Sequence, residues 1–159
     1  MVSGELGKVI MKTTLTGLTI LGLTILGLAT PAAAETWHSF SRSSNSAYMA
    51  DVDAIVVEGD ITRIQLAIVP LRGEVGDLSH TVDTYEFRCG AKQWRSTVSV
   101  EYGPDGAEAG RYPDAGEWLG ARDGTIPGIL KEIACDGVRA NPPHWPAISA
   151  FVEARTPAA

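Results

Sequence analysis

Asp83-Thr-Tyr-Glu-Phe-Arg-Cys89-Gly-Ala-Lys-Gln-Trp-Arg-Ser-Thr-Val-Ser-Val-Glu-Tyr102 is the stretch on which the fold class turns. In residues 83–89, Tyr85, Phe87 and Cys89 alternate with Thr84, Glu86 and Arg88, and a period of two puts each set on its own face of a strand. Gly90-Ala91 reads as a tight turn. In residues 93–102, Trp94, Val98, Val100 and Tyr102 are expected on one face, against Arg95, Thr97 and Glu101. Together the two segments predict a hairpin.

Upstream, residues 61–69 alternate in the same way, with Ile64, Leu66 and Ile68 facing one side and Arg63 and Gln65 the other. Pro70 then limits continuation within a sheet. Residues 36–41 and 47–52 predict two shorter strands separated by a Ser/Asn-rich turn at residues 43–46. Downstream, residues 103–111 are too poor in apolar groups to pack and read as a mobile loop, and Trp118-Leu119 reads as a last short strand. A helix should follow, with Thr125 as N-cap, Pro127 in the first turn, an apolar face of Ile129, Leu130, Ile133 and Ala134, and Gly137 as a left-handed terminator. After Pro142-Pro143, residues 146–155 form either a second short helix carrying Ile148, Phe151 and Val152 or part of a tail docked through Trp145, so residues 138–159 stay open between the two. The expectation is an α+β fold, an antiparallel sheet of about five to six strands packed against a C-terminal α-helix.

The chain begins differently. Residues 13–29 carry no charge, follow Lys12, and lead to Pro31-Ala32-Ala33-Ala34-Glu35, the order of a secretory signal peptide with small residues ahead of the cut. The uncharged run is shorter than the roughly 20 apolar residues that cross a bilayer, and threonines dilute it. Cleavage between Ala34 and Glu35 is expected, a retained anchor being the alternative, and Met11-Lys12 marks residues 1–10 as an over-extended start. No cysteine stands at the cut, so the product is expected in a periplasmic or secreted compartment, not as a lipoprotein and with no stable membrane anchor after cleavage. Residues 35–159 should then form one domain.

Removing residues 1–34 from the 159 leaves 125, and removing Glu5, Lys8 and Lys12 from 19 acids and 13 bases leaves 18 against 11, a net charge of -7. Nucleic acid is bound by clustered Lys and Arg, which this balance excludes. Cys89 and Cys135 would meet an oxidising compartment, where an even count favours a disulfide over two buried thiols. Closing that loop would stabilise the fold by roughly 4 kcal/mol in the chain-entropy model.

Catalytic signals are sparse. His38, His80 and His144 lie in separate segments without ligand spacing, and they read as surface or partly packed residues. Asp51 and Asp53 share one face of an extended segment close to Glu58 and Asp60, which suggests calcium or paired-carboxylate hydrolysis. A calcium loop needs further oxygens at set positions, and Ile55 stands where the next would fall. No Gly-x-Ser-x-Gly and no phosphate-cradling loop is present. No metal or cofactor is therefore expected. Among four tryptophans, Trp94 is expected in the core, while Trp37, Trp118 and Trp145 sit near element ends, capping the core or presenting a binding surface.

The order of Trp37, the long strand over residues 61–69, Glu86-Phe87-Arg88-Cys89, Lys92-Gln93-Trp94-Arg95, Trp118, Pro127-Gly128 and Ile133-Ala134-Cys135 resembles the surface-adhesin protein E-like domain family. The resemblance spans residues 36–137. It implies an antiparallel sheet tied to a C-terminal helix by the disulfide, and an exported, non-enzymatic binding module for a protein partner in the host matrix or the envelope. Adhesion would favour an exposed basic patch, and a domain with only Lys92 and Lys131 departs from that; no binding residue carries over. A periplasmic structural role is the alternative, and a hydrolase using Asp51 and Asp53 a distant third.

Overall fold

A computed structural model describes residues 35–155. The expected leader, with Ala34, lies outside the described residues, as do residues 156–159; Glu35 lies inside them.

Among the described residues eight strands form one antiparallel sheet: β1 (Trp37–Arg42), β2 (Ser46–Glu58), β3 (Ile61–Pro70), β4 (His80–Arg88), β5 (Gln93–Tyr102), β6 (Glu108–Pro113), β7 (Leu119–Gly120) and β8 (His144–Trp145). Their spatial order is β6-β5-β4-β3-β2-β1-β8, and β7 pairs with β5 beyond the end of β6. Two helices stand beside the sheet among the described residues, α1 (Ile126–Asp136) and α2 (Ile148–Arg155). The class is α+β as expected, but the sheet is larger than five to six strands. Part of the expected mobile loop is instead β6, paired with Val98–Tyr102. An edge strand needs only backbone partners, and β6 leaves nearly all its side chains in solvent, so no apolar alternation marks it.

The hairpin of β4 and β5 forms, with one correction. Thr84 pairs with Val98 but Tyr85 pairs with Ser96, so Thr97 is an extra residue, and the bulge flips the alternation along β5. Trp94 therefore packs on one face of the sheet, beside Phe87, while Val100 and Tyr102 lie on the other.

Both faces are covered by helices, which is why the inner strands are apolar on two sides. On one face Ala50, Ile64, Leu66 and Phe87 pack against Leu130 and Ile133 of α1. On the opposite face Ala47, Met49, Ala67, Val69 and Val82 pack against Ile148, Phe151 and Val152 of α2. The helical alternative for residues 146–155 is thus realised, and α2 is a second cover.

Thr125 caps α1, its hydroxyl accepting the Gly128 N–H at 3.2 Å, and Gly137 ends the helix at φ 73°. Gly128 is required by space: a Cβ there would meet the Arg122 carbonyl oxygen at 2.0 Å. Cys89, just after β4, is bonded to Cys135 in the last turn of α1, with Cα atoms 5.7 Å apart. The bridge pins the helix C-terminus to the sheet. No helix among the described residues is long and apolar enough to cross a membrane.

Candidate functional site

The α2 face of the sheet is only partly covered, and two features occupy the uncovered part. The first is a cavity of about 340 Å3 where α2 begins. Trp37, Gln65 and Val82 line it from β1, β3 and β4, and Ile148 and Ser149 from the start of α2. His80 and Tyr102, paired across β4 and β5, stack there with ring centroids 4.4 Å apart and planes 3° from parallel. His80 Nδ1 lies 2.6 Å from the Leu78 carbonyl. A carbonyl only accepts, so Nδ1 carries the hydrogen and the neutral ring keeps Nε2 as an acceptor. Burial holds the imidazole below its ordinary value of 6.5, against the opposing pull of the Leu78 carbonyl and Glu35.

The rim of this cavity is acidic. Glu35 accepts the Trp37 indole N–H at 2.8 Å, and Asp105 accepts the Ala107 N–H at 3.0 Å in the turn between β5 and β6. The Leu78 N–H donates to the Pro104 carbonyl at 3.1 Å, tying the connection before β4 to that turn. Among the described residues no lysine or arginine lines the cavity.

The second feature is the open sheet face at the far ends of β3, β4 and β5. Glu86, 7% exposed, receives Arg63 on one carboxylate oxygen at 3.0 and 3.3 Å and Arg95 on the other at 2.7 and 2.9 Å. Burial alone would raise the Glu86 carboxyl, but the hydrogen bonds from Arg95 and Arg63 outweigh it and hold it below its ordinary value. Trp118, between β6 and β7, lies under two guanidinium groups, Arg88 at 4.2 Å and Arg95 at 4.6 Å from its ring centroid. Arg88 Nε is buried without a hydrogen bond, its nearest carboxylate being Asp60 at 4.0 Å. A groove of about 300 Å3 opens beside Arg95, lined by Thr97, Pro113, Asp114 and Ala115. Val56 and Leu119 are exposed large apolar residues at the same end of the sheet.

The chain matches no protein-family model, no curated protein and no solved structure.

The carboxylates of Asp51 and Asp53, singled out in the sequence, accept hydrogen bonds from the backbone and from Thr36. Asp51 is 3% exposed, and its Oδ1 accepts the N–H groups of Thr36 and Asp53, each at 3.1 Å, which ties the start of β1 to β2. Asp53 accepts from the Thr36 hydroxyl. Glu58 and Asp60 flank the β2–β3 turn and face Arg63 and Arg88. Among the described residues no group of three or more His, Cys, Asp or Glu is placed to hold a metal ion.

The histidines were only partly legible. His38 and His144, remote in sequence, stack across β1 and β8 at 3.6 Å, and His38 is buried with Nδ1 unpartnered. Burial lowers the His38 pKa, helped by His144 and Arg139 and opposed by Asp53 and Asp51. Of the tryptophans, Trp37 is 2% exposed in the core and Trp145 packs edge-on against Phe151 at 5.7 Å. Trp118 belongs to neither core cluster. No pattern local to residues 114–118 signals its place, because the arginines that hold it come from β4 and β5.

Proposed function

We propose that this chain is an exported, non-enzymatic binding module that engages a protein partner, of the host matrix or of the cell envelope, through the open sheet face around Trp118. The observation that carries this reading is the pair of arginines, Arg88 and Arg95, stacked on a half-buried Trp118 beside a groove. Tryptophan and arginine are enriched among the few residues that carry protein–protein binding energy, and here Glu86 holds one of the two arginines, Arg95, in place. The arginines also put guanidinium groups on one face of a domain whose only lysines are Lys92 and Lys131. The uncharged leader-like run, the disulfide and the resemblance to the adhesin protein E-like family support export and binding.

Crosslinking capture on intact cells and immobilised matrix proteins such as vitronectin and laminin test this reading. Saturable binding at about micromolar concentration is expected, weakened about thirtyfold in Trp118→Ala, the mark of a binding hot spot. Binding unchanged in that variant defeats the assignment of the face. No binding to matrix proteins, with the protein held inside the envelope on fractionation, favours the periplasmic structural role.

A further inference from the structure

The cavity at the start of α2 is separate from the Trp118 face, where arginines are paired with Glu58, Asp60 and Glu86. We infer that the cavity is a binding site for a small organic cation, an alkylammonium group on an apolar body.

Three observations carry this. The rim holds two carboxylates, Glu35 and Asp105, neither of which is paired with a basic side chain among the described residues. Three aromatic residues, Trp37, His80 and Tyr102, are among those that line it, and aromatic groups attract cations within about 6 Å, more strongly where water is excluded. Leu78, Val82 and Ile148 provide apolar lining for a hydrocarbon body, and the volume of about 340 Å3 lies in the range of small-molecule sites.

Two features oppose a cation, and their magnitudes decide. The N-terminus of α2 borders the cavity and favours anions, but it contributes only about half an elementary charge, against two whole carboxylates. A chain cut before Glu35 would add one ammonium at that residue and still leave the rim net negative. His80 brings no third positive charge at neutral pH, since burial keeps its ring neutral.

The test uses three probes of one chain length, hexyltrimethylammonium, hexanoate and 1-hexanol, titrated into the purified protein. The readout is the NMR signal of the Trp37 indole N–H, which donates to Glu35 and so senses the rim directly. The cation should move that signal saturably and bind less tightly as salt is raised. Affinity should fall about threefold in Glu35→Gln and in Asp105→Asn, and about tenfold in the double variant. Both residues are exposed, so the variants keep the fold. Asp105→Asn keeps the indole–Glu35 bond and serves as the cleaner single variant. Equal or tighter binding of hexanoate or 1-hexanol overturns the inference, as does cation binding that ignores both substitutions or no saturable shift with any probe. None of these outcomes bears on binding at Trp118.

Discussion

The two helices cover opposite faces of one sheet, and they are held there by different means. In α1 the determinants are local and covalent: the Thr125 cap, Pro127 in the first turn, the left-handed Gly137 and the bridge from Cys135 to Cys89. In α2 they are tertiary. Ile148, Phe151 and Val152 are buried against Trp37, Met49 and Val69, and Arg42 and Arg155 lie over the Phe151 ring at 5.6 and 5.8 Å. Arg155 also donates to the Pro70 carbonyl. A helix of eight residues is too short to persist alone in water, so α2 exists because the sheet offers it a surface. A helix can thus be written in its own segment or in the segments that receive it.

The sharpest way to break this contrast is to remove the anchor of α2. Phe151→Ala should destabilise the protein by about 3–5 kcal/mol in chemical denaturation, since a fully buried ring leaves a cavity behind. A loss under about 1 kcal/mol would mean that α2 is dispensable packing. Next comes the tether of α1. Replacing Cys89 and Cys135 together by Ala should cost about 2–4 kcal/mol and lower the melting temperature, and alkylation of the unreduced protein should find no free thiol. Full labelling of both cysteines would dismantle the contrast. A smaller effect, about 1–3 kcal/mol, is expected for Gly128→Ala, because the new methyl group runs into the Arg122 carbonyl; unchanged stability would show that the approach of α1 to the preceding loop is loose.

The smallest effect concerns pH. His38 and His80 have folded-state pKa values below 6.5, so the unfolded chain takes up protons first as pH falls, and stability present above 6.5 declines below it. Glu86, held below 4.5 by its arginines, adds a second loss as pH drops below 4.5 toward its folded value. Denaturation midpoints measured between neutral and acidic pH should therefore fall in two stages, and a rise on acidification below 6.5 would contradict the assigned environments of both histidines.

Legibility followed the range of the interactions. The alternation in residues 61–69 placed Ile64, Leu66 and Ile68 together because the pleat enforces it, and the ends of α1 were readable because capping acts within one turn. Thr97 defeated the same rule: a bulge adds one residue to β5, and nothing in Arg95-Ser-Thr-Val98 marks which residue is extra. The Trp118 face shows the limit for function. Arg63, Glu86, Arg88 and Arg95 read individually as solvent-side residues of three strands, and only strand register makes them neighbours.

Read alone, the chain establishes an α+β domain with one hairpin, one capped helix and a pair of cysteines suited to a bridge, since each depends on residues adjacent in sequence or on a count. Tertiary structure decided the width of the sheet, the existence of α2, the meeting of His38 with His144, and the cavity and the arginine–tryptophan cluster on one sheet face. Those depend on which strands lie side by side and on what covers them, and the free energy that selects them is shared among segments distant in the chain.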